Sequence, residues 1–275
     1  MGSLPVARIF TDLKGNLIAP DCKMLVFSLE THEDVVSKLC ENWKFIPDNY
    51  RQILSVAGRV HDHLKPTTLW FINVIKRIKK EELKNKRKRY LANLALPHGV
   101  IEKESIWEFE FPKHGDRLSE EYLRRLPEVA ELDKNNMSLI TGIVKLHHSF
   151  QTDKIVSYLK ESECFPLFLH TLIQADWIDA EICSHLLEHQ FHISSSFEHQ
   201  FFDYQLEFED METKTTVRIE PYPLIKSPLI VNVKFVELNA PSSFPENEGE
   251  MNNLLIQQMR KVIENGWKKV EVEIR

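Results

Sequence analysis

The sequence lacks long apolar runs, and this absence limits where the protein can act. A membrane-spanning helix needs roughly 20 consecutive apolar residues, and no stretch of the 275 residues approaches that length. The first residues, MGSLPVARIF, also lack the apolar core of a signal peptide. The four cysteines are scattered, with no CxxC pair and no disulfide framework. We therefore expect a cytoplasmic protein whose thiols are reduced and mostly buried.

The charge balance also excludes one class of protein. A net charge of −6 argues against a protein that binds nucleic acid over its whole surface. The chain nevertheless has one strongly basic run, formed by Lys76, Arg77, Lys79, Lys80, Lys84, Lys86, Arg87, Lys88 and Arg89. Such a run is either a solvated helix face or a contact for a phosphate backbone. Its last four residues, Lys86 to Arg89, are our candidates for nucleic-acid binding.

Hydrophobic periodicity predicts that most of the chain up to about residue 195 is helical. Apolar residues recur at three- and four-residue steps after Ser28, and Ser28 with Thr31 could cap this first helix. Further helices are predicted over Tyr50–His63, Thr67–Tyr90, from Asp116 or Ser119 to Leu132, Met137–Phe150, Asp153–Ser162 and Phe165–His189.

Strand patterns are concentrated near the two ends of the chain. Residues 7–19 predict a hairpin around Lys14-Gly15-Asn16, and residues 96–113 a strand or hairpin. Near the C-terminus, FFDYQLEFED, TTVRIEPY, LIVNVKFVEL and KKVEVEI predict strands, and Glu250–Asn265 a helix. We therefore expect a mainly α fold, with a hairpin over residues 1–24, a helical domain over 25–195 and a small α+β unit over 196–275.

The stretch SVAGRVHDHLKP carries the most informative residues. It contains the dyad His61-Asp62, and Lys65 follows three residues after the aspartate. Imidazole nitrogen and carboxylate oxygen together suit divalent ions such as Mn, Fe, Co, Ni or Zn. Adjacent helical residues diverge by about 100°, so both can bind one ion only if it lies beside the helix. Alone, the dyad is weak evidence for a metal site, because most His-Asp pairs that occur by chance are solvated surface.

Further candidate ligands support a metal site. They are His32, His114, His147, His148 and Asp176. Individually, His32 could be a core histidine, and the His147-His148 pair could simply favour the negative end of a helix dipole. Asp176 interrupts an apolar helix face, where an unpaired carboxylate is costly. The seven residues together could fill two metal sites, with Asp62 as the bridging carboxylate.

The order H…HD…H…HH…D resembles the HD-superfamily nuclease domain of the type I CRISPR-associated helicase–nuclease, in its stand-alone form, over about residues 25–195. The family's AGLLHDLGK corresponds here to AGRVHDHLK, although His63-Leu64 replaces the usual Leu-Gly. Its HHG corresponds to His147-His148-Ser149, and its LADRLDS-like aspartate to Asp176 in QADWIDA. Its lone middle histidine best matches His114, and His98 is the rival.

The resemblance implies an HD-superfamily helical domain that cleaves single-stranded DNA with one or two divalent transition-metal ions. It implies catalytic roles for Asp62 and Lys65. It implies that the metal ligands are His32, His61, Asp62, His114, His147, His148 and Asp176. The chain has no G-x-x-x-x-G-K-[ST] phosphate loop, so a CRISPR helicase subunit would be a separate polypeptide, acting with a type I surveillance complex.

Two alternatives share the same ligands. One is an HD phosphohydrolase that acts on nucleotides or cyclic nucleotides, and the other is a non-catalytic HD scaffold that binds a partner. The basic run, and the absence of an evident base- or sugar-binding motif, favour a polymeric substrate.

A second group of histidines, His185, His189 and His192, also has the spacing of metal ligands on a helix. No acidic or thiol residue evidently joins them, so we interpret them as surface residues.

Overall fold

The computed structural model describes residues 5–9, 23–62, 120–126, 129, 132–147, 163–191, 204–211, 214–239 and 264–275, together with 253, 257 and 260–262. Several predictions fall outside these residues: the helices over 67–90 and 153–162, the strand over 96–113 and most of the hairpin over 7–19. The candidate residues outside them are Lys65, Lys86, Arg87, Lys88, Arg89, His98, His114 and His148.

Most helices of the described residues lie where the hydrophobic periodicity of the sequence predicts them. They are α1 (Leu29–Glu41), α2 (Asp48–Val60), α3 (Glu120–Leu123), α4 (Lys134–Leu146) and α5 (Phe165–Phe191). The predicted cap of α1 is confirmed, because the Ser28 hydroxyl accepts a hydrogen bond from the Thr31 amide at 3.4 Å. The described residues between 253 and 265 are also helical.

The helix predicted to reach Leu132 ends much earlier, at Leu123. The amide of Leu126 bonds the carbonyl of Leu123 at 2.9 Å, and that of Val129 bonds the carbonyl of Leu126 at 3.0 Å. These bonds span three residues, so they form successive turns rather than an α-helix. Leu126 precedes a proline in the sequence, which disfavours helical backbone at Leu126.

Six strands among the described residues form one sheet. They are β1 (Pro5–Ile9), β2 (Lys23–Ser28), β3 (Gln205–Asp210), β4 (Lys214–Glu220), β5 (Leu229–Asn239) and β6 (Lys268–Ile274). The strand order is β1-β2-β5-β6-β4-β3. Strands β4 and β6 pair in parallel, and the other neighbours pair antiparallel. The four strands predicted near the C-terminus are thus confirmed.

The expectation of a mainly α fold is wrong. The mixed sheet is a major part of the described structure and takes strands from both ends of the chain, with β2 paired to β5. The boundary expected between residues 24 and 25 falls inside β2. Pairing between such distant segments leaves no local pattern in the sequence, because each strand shows only its own alternation of apolar and polar residues.

One hydrophobic core joins the helices to the sheet. Helix α1 packs on β2 and β5, and it also contacts α2 and α5. Phe27 of β2 lies opposite Phe235 of β5, with ring centroids 6.1 Å apart. At the far end of α1, the fully buried Trp43 meets the Tyr204 ring edge-on, with centroids 5.6 Å apart. The sheet therefore supports α1, the helix that carries His32.

The described residues include no helix with the length and apolar character needed to cross a membrane.

Candidate metal centre

Five of the seven candidate ligands lie in the described residues, and the fold brings them together. His32 lies on α1, His61 caps the end of α2 and is followed by Asp62, His147 caps the end of α4, and Asp176 lies on α5. All are buried except the His32 side chain, which is 11% exposed. Four separate segments thus contribute to one buried cluster.

Close packing of α1 against α2 sets the position of the two histidines nearest each other. A Cβ on Gly58 would lie 2.9 Å from both the Cα and the amide nitrogen of Ser37, a distance that real contacts essentially never show. The Ser37 hydroxyl also bonds the Ser55 carbonyl at 2.8 Å. Because Gly58 has no side chain, the two helices approach closely enough to place His61 beside His32.

The donor atoms of the cluster are separated by distances typical of ligands that share an ion. His32 Nε2 lies 3.1 Å from His61 Nε2 and 3.3 Å from an oxygen of both Asp62 and Asp176. His61 Nε2 lies 3.6 Å from Asp176 Oδ1. Ions such as zinc bind imidazole nitrogen at about 2.0–2.1 Å, so two ligands at an angle of about 90–110° lie about 3–3.5 Å apart.

Each of the three histidines has a hydrogen-bond acceptor at Nδ1, and this acceptor fixes the orientation of its ring. His61 Nδ1 donates to the Gly58 carbonyl at 2.7 Å, and His147 Nδ1 donates to the Val144 carbonyl at 2.5 Å. A carbonyl oxygen can only accept, so each Nδ1 carries a proton, and the Nε2 atom of each ring faces the cluster, where it presents a lone pair whenever it carries no proton of its own. His32 Nδ1 likewise lies 2.6 Å from Asp179 Oδ2. This is the usual arrangement of histidines that bind a metal through Nε2.

Two groupings of these residues have the geometry of a cation site. One is His32, His61 and Asp62, and the other is His61, His147 and Asp176. Within each, the donor atoms all lie within 4.8 Å of one another. Nitrogen and oxygen donors in this combination suit borderline divalent ions. The buried His/Asp groups of this protein could therefore hold a metal ion.

The two oxygens of Asp62 face different histidines. Its Oδ2 lies 3.3 Å from His32 Nε2, whereas its Oδ1 lies 3.9 Å from His147 Nε2. A carboxylate that bridges two ions presents one oxygen to each. The orientation of Asp62 therefore allows the bridging role expected from the sequence.

Burial and charge act in opposite directions on the ionisable groups of the cluster. Burial lowers the pKa of His32, but hydrogen bonds to Asp179 and Asp62, and the charges of Asp179 and Asp176, raise it well above its ordinary value. Burial raises the pKa of Asp176, but the hydrogen bond and charge of His61 outweigh it and hold the pKa far below its usual range. The carboxylates therefore favour a cation between them.

Asp179 is a site residue that the sequence analysis missed. It lies on α5 three residues after Asp176, and its side chain is 2% exposed. Residues three apart lie on the same face of a helix, so QADWIDA held the signal for both aspartates. The comparison of motifs carried over only the first aspartate of this stretch, Asp176, so the second was not predicted.

His185 corrects another expectation. Its Nε2 bonds Asp210 Oδ2 at 2.7 Å, and its ring stacks on Phe208 with centroids 4.0 Å apart. The interpretation of His185 as a surface residue without an acidic partner is therefore wrong, because β3 supplies that partner from a distant part of the chain. The pair links α5 to the sheet, away from the five clustered ligands.

Comparison of the chain with protein-family models, with curated proteins and with solved structures gives no match.

Proposed function

We propose that this protein is a metal-dependent HD-type nuclease that cleaves single-stranded DNA in type I CRISPR interference. It would work with a separate helicase, which supplies the single strand, and with a type I surveillance complex. The proposal rests on the resemblance of the motifs, and one structural observation supports it. Three Nε2 atoms and two carboxylates, brought from four segments of the chain, converge in one buried cluster.

The residues of the cluster have distinct tasks in this proposal. His32, His61 and Asp62 would hold one ion, with Asp176 beside them. The other oxygen of Asp62 would serve a second position beside His147, which His114 and His148 would complete. A divalent ion bound there supplies nucleophilic hydroxide at neutral pH by lowering the pKa of water. Lys65 would stabilise the negative charge that develops on the phosphoryl oxygens. The Nδ1 hydrogen bonds of His61 and His147 keep both rings oriented throughout.

The choice of a polymeric substrate rests on the basic run. Lys86, Arg87, Lys88 and Arg89 would contact successive phosphates of a single strand, a contact that a mononucleotide cannot make. A duplex would be a poor substrate, because the candidate ligands of the described residues, His32 apart, are buried and stiff paired strands would have to be unwound to reach them.

The proposal is tested by offering the purified protein several substrates in parallel, with Mn, Co or Ni present. These are linear single-stranded DNA, circular single-stranded DNA, a duplex of the same sequence, and nucleotides with cyclic nucleotides. We expect degradation of single strands with the duplex largely spared. The circular substrate separates endonuclease from exonuclease action, since only an endonuclease can cut it.

Two variants give the assay its specificity. Asp62→Ala should lower cleavage at least about 100-fold, because even the partners that orient metal ligands are worth 10–100-fold. Asp34→Asn is the matched control: Asp34 also lies on a ligand-bearing helix, but it pairs with Lys38 and Arg59 on the outer side. Rapid hydrolysis of nucleotides without DNA cleavage would contradict the nuclease proposal and favour a phosphohydrolase. Absence of both activities would favour a non-catalytic scaffold.

A further inference from the structure

The three histidines of the cluster differ in the group that accepts the hydrogen bond from Nδ1. His61 and His147 each donate from Nδ1 to a backbone carbonyl of their own helix, three residues earlier. His32 instead donates to a side chain, the carboxylate of Asp179 on a different helix, with 2.6 Å between Nδ1 and Oδ2. A charged acceptor makes a stronger bond than a neutral carbonyl and increases the basicity of the ring.

Asp179 is placed where a carboxylate is costly. It is 1% exposed, and within the described residues its Oδ1 has no hydrogen-bond partner. Its Oδ2 accepts from His32 and, more weakly, from the Cys183 thiol at 3.7 Å. A buried carboxylate persists only when a partner compensates for its lost hydration, and the short bond to His32 is the main compensation here.

The geometry points to Asp179 as the positioning residue of His32: we propose that it holds the ring in the tautomer that presents Nε2 to the metal ion. This inference rests on the proposed metal centre and deepens it. Helix α5 would then serve the centre twice, with Asp176 as a ligand and Asp179, one turn later, as the residue that orients a ligand of α1.

The test compares metal affinity in wild type and Asp179→Asn, by competition with a chromogenic chelator for Co(II) and Zn(II). Asparagine keeps the size of the side chain and one acceptor oxygen but removes the charge. We expect affinity to fall about 10–100-fold. The visible absorption bands of bound Co(II) should also shift, because the ligand field of His32 changes. A merely structural role would lower stability without moving the bands.

A double-mutant cycle isolates the partner through which Asp179 acts. His32→Ala alone should weaken metal binding, and adding Asp179→Asn to it should weaken binding little further, because the ring that Asp179 orients is gone. Additive losses would contradict the inference.

Asp210→Asn is the matched control. Asp210 also accepts from a histidine, His185 Nε2, at 2.7 Å, but it lies on the sheet. It should lower the stability of the protein and leave metal affinity unchanged.

One measurement on wild type covers the case in which Asp179→Asn does not fold. In the metal-loaded protein, nitrogen NMR should show the His32 ring protonated at Nδ1 and bound through Nε2; coordination through Nδ1 would overturn the inference. Equal metal affinity in folded Asp179→Asn and wild type would also overturn it while leaving the metal centre intact. Absence of metal binding in wild type would overturn both.

Discussion

His32 and His61 face each other across 3.1 Å through their Nε2 atoms, and each ring is held from behind by an acceptor at Nδ1. Two lone pairs at this distance repel each other unless a proton or a cation lies between them. Oxygens of Asp62 and Asp176, each 3.3 Å from His32 Nε2, add negative charge to the same space. A proton on His32, whose pKa is raised, supplies part of the positive charge that this arrangement requires. A divalent ion would supply all of it.

Metal should therefore stabilise the folded protein. An ion that binds only the folded state at 100 times its dissociation constant adds about 2.7 kcal/mol to the free energy of unfolding. Thermal unfolding followed by circular dichroism should show a higher Tm with Mn, Co or Zn, and the shift should reverse with chelator. His61→Ala should lose this shift. A shift of the same size in both proteins would place the ion elsewhere.

Gly58→Ala should damage the packing and the site together. The added methyl group would meet the backbone of Ser37 at 2.9 Å, and a backbone cannot move aside as a flexible side chain does. We expect a loss of about 1–3 kcal/mol in the free energy of unfolding by urea, with weaker metal binding because α1 moves away from α2. The control is Gln52→Ala, at an exposed position of α2, which should change stability by less than about 0.5 kcal/mol. An unchanged unfolding midpoint for Gly58→Ala would contradict the close approach.

The loss of folding stability at acid pH should depend on Glu273. This side chain is buried and receives hydrogen bonds from Lys214 and Arg275. The bond from Lys214 lowers the pKa of Glu273, and despite the opposing effect of burial the pKa stays below its ordinary 4.5. A lowered pKa gives stability that is complete above the unfolded value and is lost as the pH falls through the folded one.

Urea unfolding between about pH 5 and pH 3 tests this dependence. Glu273→Gln should show a flatter decline in stability than wild type over that range. The control Glu271→Gln, at an exposed position of the same strand, should decline as wild type does. Identical curves for Glu273→Gln and wild type would show that the ion pairs of Glu273 contribute nothing to acid sensitivity.

The basic run makes a prediction about DNA binding that needs no change in the metal site. Neutralising Lys86, Arg87, Lys88 and Arg89 should weaken binding of single-stranded DNA, and each lost phosphate contact should lower the log–log salt slope by roughly 0.7. Fluorescence anisotropy at several salt concentrations measures both effects. Metal content and cleavage of saturating DNA should stay close to wild type. If the neutralised variant keeps both the wild-type affinity for single-stranded DNA and the wild-type salt slope, the run is only a solvated helix face.

Local patterns in the sequence were sufficient for the residues whose environment is set within one element. The apolar neighbours of His32 placed it on the inward face of α1, and the Ser28 cap marked where that helix begins. Both are decided by contacts a few residues apart, so periodicity reveals them.

What the sequence did not reveal depends on contacts between distant segments. The pairing of β2 with β5 and the bond from His32 to Asp179 both join parts of the chain far apart in sequence. Nothing near Asp179 shows that a histidine of α1 will face it. The same holds for His185, whose acidic partner comes from β3.

The central claim is that the His/Asp cluster binds metal, and the most direct test is the metal content of purified wild type and Asp62→Ala after loading and desalting. Elemental analysis should find one or two ions for each wild-type chain, and Asp62→Ala should lose most of them, because both of its oxygens face the cluster. Asp34→Asn, prepared in the same way, should keep the wild-type content. Equal stoichiometry in wild type and Asp62→Ala would contradict the account.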